Sequence, residues 1–312
     1  MWHSRYVRTR NPYLTFLVSR WWRLAPVFLI CSVIGLFSAV LLNDRHALLL
    51  LQDPVWWLRQ FPIAGSTYGV RVLAPSWSLD VEMQFYLLAP LIIILLAKVS
   101  DKARVAIATS LVAILGVLFW SGVPPEAPYF AMFSGFFIAG IILAQVDWAA
   151  RNSMVLGGIG VLFIGLLVLL AFPVTRTSIW YEGSANLSPA DWANVWWVLA
   201  AALVVPFVSR NVRVRSSKFD RFLGNLAYPL YLFHWIPREW YYHFSETADH
   251  GSVRVFFLAA NFIFAFGGGI VILVLFDQPL DRLRTKWVAA RERNLETANL
   301  GGLASAPGGP GK

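Results

Sequence analysis

The stretch SWSLDVEMQFYLLAP at 76–90 sets two carboxylates, Asp80 and Glu82, at the head of an apolar run that continues to Ala97. An ionised carboxylate is costly in hydrocarbon, so such residues within a span have a partner or a function. At about 100° per residue, Ser78, Glu82, Phe85, Tyr86 and Ala89 share one helical face. Asp80 lies about 160° away from Glu82, nearer the outer surface, where it can reach water. Two roles fit Glu82 by position: a carboxylate that sits at the interface or locks two helices together, and one that faces a reaction cavity.

A second chemically loaded stretch is GNLAYPLYLFHWIP at 224–237. His234 falls within an apolar segment, and Ala227, Leu230, Tyr231, His234 and Arg238 share a helical face. Pro229 and Pro237 bracket the histidine and are expected to loosen the helix, freeing carbonyls that need partners. An imidazole here is either an interhelical hydrogen bonder or a group titrating near neutrality that can act as a base. A third stretch, FLVSRWWRLAP at 16–26, places Arg20 and Arg23 three apart on one face. Paired guanidiniums suit phosphate recognition, and basic residues beside a span also serve as anchors on the cytoplasmic side.

The elements that hold these side chains are set by composition. Of the 312 residues, 58% are hydrophobic and only 14% charged, against about a quarter charged in an ordinary soluble domain. With a mean hydropathy of +0.60, the fold class is all-α: a polytopic membrane helix bundle. The net charge of +9 then reflects basic cytoplasmic loops, not nucleic-acid binding. No zinc-type Cys/His spacing or Gly-rich phosphate loop occurs, and no metal site is expected. The single cysteine, Cys31, rules out an internal disulfide.

A helical span takes about 20 apolar residues. Eight stretches qualify, roughly 24–42, 78–98, 104–122, 128–146, 153–173, 191–208, 222–243 and 254–276. The basic residues orient them. Arg5, Arg8, Arg10, Arg20 and Arg23, then Lys98 to Arg104, Arg151, Arg210 to Arg221 and Arg282 to Lys312 all fall inside if both termini are cytoplasmic. Twenty of the 26 Lys and Arg residues are then on that side. Most tryptophans, among them Trp21, Trp22, Trp56, Trp57, Trp77, Trp120, Trp148 and Trp192, lie near span ends, where interfacial belts form. The outer loops 43–77 and 174–190 are long enough to shape an entrance or lid. The domain plan is a transmembrane domain at 1–293 and a Gly/Pro-rich, disordered cytoplasmic tail at 294–312.

The three stretches, in this order, resemble the acyltransferase-3 family of integral membrane O-acyltransferases. Members of that family show R-x-x-R-x-x-P, W-S-L-x-x-E-x-x-F-Y and Y-x-L-Y-L-x-H-W elements, matched here by RWWRLAP, WSLDVEMQFY and YPLYLFHW. FDQP at 276–279 is similar to the acidic-x-Pro ending after the family's last span. The resemblance implies transfer of an acyl group, usually acetyl, from acyl-CoA as co-substrate to a hydroxyl, mostly of a cell-envelope glycan. No bound cofactor is implied. Arg20 and Arg23 become the donor-binding clamp, Glu82 and His234 the catalytic pair, and Trp77, Ser78, Tyr86 and Tyr231 the site lining. The implied location is the inner, or plasma, membrane.

The family usually carries two further N-terminal spans, the first with a histidine regarded as the base. Neither precedes residue 24 here, and His3 lies in a hydrophilic stretch. The expectation is therefore a chain that starts at an internal methionine or is a truncated relative. Two alternatives to an enzyme follow: a non-catalytic membrane partner, or a transporter or flippase for an envelope precursor. The latter would need a polar path and often shows inverted repeats, and no repeat is readable.

Overall fold

A computed structural model of the chain describes residues 6, 8–9, 11–60, 63, 72–120, 129–145, 150–171, 192–211, 214–245 and 251–304. The described residues are mostly helical, with no strand among them. In chain order the helices are α1 (Pro12–Leu41), α2 (Arg45–Gln52), α3 (Pro54–Gln60), α4 (Ser76–Ala97), α5 (Asp101–Trp120), α6 (Tyr129–Gln145), α7 (Asn152–Ala171) and α8 (Trp192–Asn211). They continue with α9 (Lys218–Phe233), α10 (Trp235–Ser245), α11 (Gly251–Ile272), a π-helical turn (Leu273–Asp277) and α12 (Gln278–Ala304).

Helices Pro12–Leu41 and Ser76–Ala97, and the continuous stretch Val255–Glu292, are long and apolar enough to cross a membrane. Shorter apolar stretches lie at Phe133–Gln145, Asn152–Val168 and Leu199–Asn211. Helix α11 leaves Phe256, Phe262, Ile263 and Phe264 exposed, an apolar surface that suits lipid and not water. The chain is a membrane helix bundle. The expected loop 43–77 contains α2 and α3, whereas the loop 174–190 and Trp148 lie outside the described residues.

The chain divides into two compact units, residues 1–90 with 217–312, and residues 91–216. In the first, Leu24, Ala25, Phe28 and Cys31 of α1 pack with Leu79 of α4, Leu232 of α9, Ile236 of α10 and Ile272 of α11. Three aspects of this unit differ from expectation. Helix α1 starts at Pro12, well before residue 24. Pro12 in its first turn has no N–H to leave unsatisfied there, and its fixed φ favours the start. Arg20 and Arg23 thus lie within the helix and not ahead of it. At its other end Asn43 takes a left-handed φ of 61°, which asparagine tolerates at helix ends.

The second difference is at 222–243, where one span was expected. The segment is two helices, α9 and α10, meeting at His234, with φ −58° and ψ −22°. Pro229 is accommodated and buried inside α9. Pro237, in the first turn of α10, has no N–H to continue the ladder across the junction. The third is FDQP, which does not end the last helix. Pro279 deprives the preceding turn of a donor, and the chain widens into the π-helical turn Leu273–Asp277 before resuming as α12. That helix runs on to Ala304, into the segment expected as a disordered tail.

In the second unit α5 packs on α6 and α8, and α7 on α8. Gly158 of α7 lets the Leu203 carbonyl of α8 approach, since a Cβ there would lie 2.5 Å from that oxygen. Arg104 of α5 donates from Nε to the Leu96 carbonyl at 2.8 Å and from an Nη to that of Ala97 at 3.2 Å. A residue expected to be a solvated cytoplasmic charge is thus a cap for the last carbonyls of α4.

Candidate functional site

One face of α4 forms the spine of the site. Ser78, Glu82 and Tyr86 follow each other at single-turn spacing, so their side chains stack along it. Tyr86 donates its hydroxyl to the Glu82 carboxylate. At the same level, the Arg20 guanidinium carbon lies 5.1 Å from the Tyr86 ring centroid and 5.2 Å from that of Phe16. Both are cation–π distances. Phe16 meets Tyr86 edge to face, with centroids 5.8 Å apart. Among the described residues the buried Nε of Arg20 has no hydrogen-bond partner, and the guanidinium rests against the two aromatic rings.

At the N-terminal end of the same face, Ser78 Oγ lies 2.8 Å from the Tyr231 hydroxyl of α9. Both are anchored on one backbone oxygen: Tyr231 donates to the Pro75 carbonyl at 3.1 Å, and Ser78 at 3.0 Å. One turn along α9 from Tyr231 is His234, their ring centroids 6.1 Å apart. His234 Nδ1 lies 3.2 Å from the Leu230 carbonyl oxygen. A carbonyl only accepts, so this contact is a hydrogen bond when Nδ1 carries the proton, which leaves the lone pair of the neutral ring on Nε2.

The structure therefore brings Arg20, Tyr86 and Glu82 together, and Ser78 and Tyr231 together, along one face of α4, with His234 one turn beyond Tyr231. Trp77 is partly buried at the head of that helix. Arg23 is exposed, one turn beyond Arg20. Its charge, with that of Arg284, lies within electrostatic reach of Asp277 at the π-helical turn. Helices α1 and α9 are joined beside it by the Tyr228 hydroxyl, which donates to the Leu24 carbonyl at 2.6 Å.

Two charged residues sit otherwise than the sequence suggested. Asp80 does not reach water: it is 0% exposed and accepts from Gln84 Nε2 at 2.9 Å. It lies on the α4 face opposite Glu82, between buried Leu79 and Val81, and that face packs inward. Arg284, counted among the cytoplasmic charges, is buried in α12. It donates to Ser19 Oγ of α1 at 2.9 Å and to Asp281 at 2.6 Å. Asp277, Asp281 and Arg284 stand at single-turn spacing, which was the readable signal for this cluster. Trp56 is likewise core, 5% exposed and packed with Leu36 and Ala47, and Trp21 packs on the main core. Neither is a simple interfacial anchor.

The site thus sets a carboxylate of α4 beside an arginine of α1, within a helical membrane protein. The family follows directly. The acyltransferase domain model matches residues 2–288, and the chain belongs to this acyltransferase-3 family. No curated protein and no solved structure matches it.

Proposed function

We propose that this chain is a membrane O-acyltransferase that moves an acyl group, acetyl in the simplest case, from acyl-CoA to a hydroxyl of a cell-envelope carbohydrate. In this reading it is a multi-pass protein of the inner membrane with both termini cytoplasmic. Arg20 and Arg23 bind phosphate oxygens of the donor from that side, a task suited to planar guanidiniums. Glu82 and Tyr86 occupy the centre, and Ser78, Tyr231, Trp77 and His234 the acceptor side.

The chemistry balances with these groups. His234 Nε2 takes the acceptor hydroxyl proton as the oxygen attacks the thioester carbonyl. The tetrahedral centre then collapses, the C–S bond breaks, and the imidazolium returns the proton to the CoA sulfur. The Glu82 carboxylate favours, through its charge, the imidazolium that develops on the base. A positioned base is worth on the order of 10²–10⁴ in rate.

The observation that carries this reading is the Arg20–Tyr86–Glu82 contact, which joins the first two sequence elements in space. The test is release of CoA thiol from acetyl-CoA by the purified chain in lipid nanodiscs, with and without glycoside acceptors. Thiol release that depends on Glu82 supports the enzyme. Its absence, with CoA-independent uptake of a glycoside into liposomes, would point to a transporter instead.

A further inference from the structure

Within the first unit, a cavity of about 480 Å³ lies against Trp235, the residue after His234. Its size falls in the range of small-molecule sites. It is lined from α1 by Gly35, Ser38 and Ala39, from the turn after α1 by Asp44, and from α10 by Glu239, Tyr242 and His243. Trp235 closes the third sequence element that marks the family; the other residues named here lie outside all three.

The lining has a definite chemistry. Trp235 and Tyr242 supply aromatic surface, while Asp44 and Glu239 supply carboxylate oxygens, which only accept hydrogen bonds. Arg238 sits 3.8 Å from the Trp235 ring centroid and 4.7 Å from that of Tyr242, with an Nη 3.4 Å from Glu239. The charge of Glu239 is thus answered within the protein. The complement is a neutral ring with an apolar face and several hydroxyl donors.

The walls are also fixed. Trp240 Nε1 donates to Ser38 Oγ at 2.5 Å, tying α10 to α1 beside the cavity. Gly35 lets the segment at Val72 and Leu73 close over α1, because a Cβ there would lie 3.0 Å from both side chains. The cavity also reaches Val72 and Ala74, next to Pro75, whose carbonyl anchors Tyr231 and Ser78.

We propose that this cavity is a sugar-binding site that takes one uncharged pyranose-sized ring of the acceptor. The assignment of the ring as an acceptor rests on the acyl-transfer reading; the binding of the ring does not. Saturation-transfer NMR on the full chain in nanodiscs, with methyl glycosides of neutral hexoses and N-acetylhexosamines as probes, measures binding without donor or turnover. The expected result is signal for at least one glycoside. Ala39→Phe, which fills the cavity, and Glu239→Gln, which keeps its shape, should each weaken that binding by about tenfold or more.

No signal from any glycoside overturns the proposal, as does binding that survives unchanged in a folded variant of either kind. Selective binding of a protonated amino sugar would overturn the uncharged assignment. Absence of thiol release from acetyl-CoA, with glycoside binding intact, would instead count against the acyl-transfer reading alone.

Discussion

The Arg20 guanidinium carbon rests 5.1 Å from the Tyr86 ring centroid, and Tyr86 in turn donates its hydroxyl to Glu82. A cation and an anion from distant parts of the chain thereby share one aromatic intermediary. Among the described ion pairs none joins them directly.

Replacing Glu82 by alanine is expected to lower kcat for acyl transfer by about 10²–10⁴-fold, because it removes the charge that supports the base. Membrane insertion and folding should persist, since Glu82 is only partly buried. Tyr86→Phe keeps the ring beneath Arg20 and loses only the hydrogen bond, so its effect should be smaller. Single-turnover thiol release compares the two. Retained turnover in Glu82→Ala would remove it from the site.

Arg20→Lys keeps the charge but loses the planar fork and the stacking on Phe16 and Tyr86. The expected change is a rise in KM for acyl-CoA on the order of tenfold to a hundredfold, the scale of one charged hydrogen bond. Dephospho-CoA thioesters should narrow the gap between wild type and variant if the lost contact is to the removed phosphate. Steady-state kinetics at fixed ionic strength would read both.

Gly268 faces Phe233, and a Cβ added there would overlap that ring. Gly269 is tighter against the main chain, with its Cβ position 3.2 Å from Leu230 Cα. Gly268→Ala should cost about 1–3 kcal/mol by overpacking and be partly rescued by Phe233→Leu. Gly269→Val should be worse, because a backbone atom cannot step aside. Thermal unfolding in nanodiscs would rank the three.

Helix α9 opens with a reciprocal cap: Ser217 Oγ accepts from the Asp220 N–H at 3.0 Å, and Asp220 accepts from the Ser217 N–H at 2.9 Å. The bonds to Ser217 hold the Asp220 carboxyl below its ordinary value. A depressed carboxylate contributes its stability in full above the unfolded-state pKa and loses it as pH falls through the folded one. Amide exchange in the first turn of α9 should therefore stay protected at neutral pH and gain protection factors no further above it. Protection should drop as the pH falls below the usual carboxylate range. Asp220→Asn should flatten this profile, and an unchanged profile would show that the cap does not control fraying.

Much of the framework was legible in residue order. The apolar runs give α4 to α8 nearly end for end, because helix formation in lipid depends on local hydrophobic length. Capping and proline chemistry are local too, so the break near His234 was signalled by Pro237. The length of α1 was not, since Ser19, Arg20 and Arg23 interrupt its apolar run and a hydropathy reading starts the span only after them.

The sequence by itself determined the helical membrane class and the residue types of the site, with Ser78, Glu82 and Tyr86 on one face, since that spacing is a property of any helix. Tertiary structure alone decided that Arg20 meets Tyr86, that Ser78 meets Tyr231, that Arg284 reaches Ser19, and that Asp80 is sealed from water. It also decided that Asp44 and Glu239 wall one cavity. The physical reason is the range of the information. Periodicity says which side chains share a face of one helix, whereas a charge's surroundings depend on which other helix packs against that face.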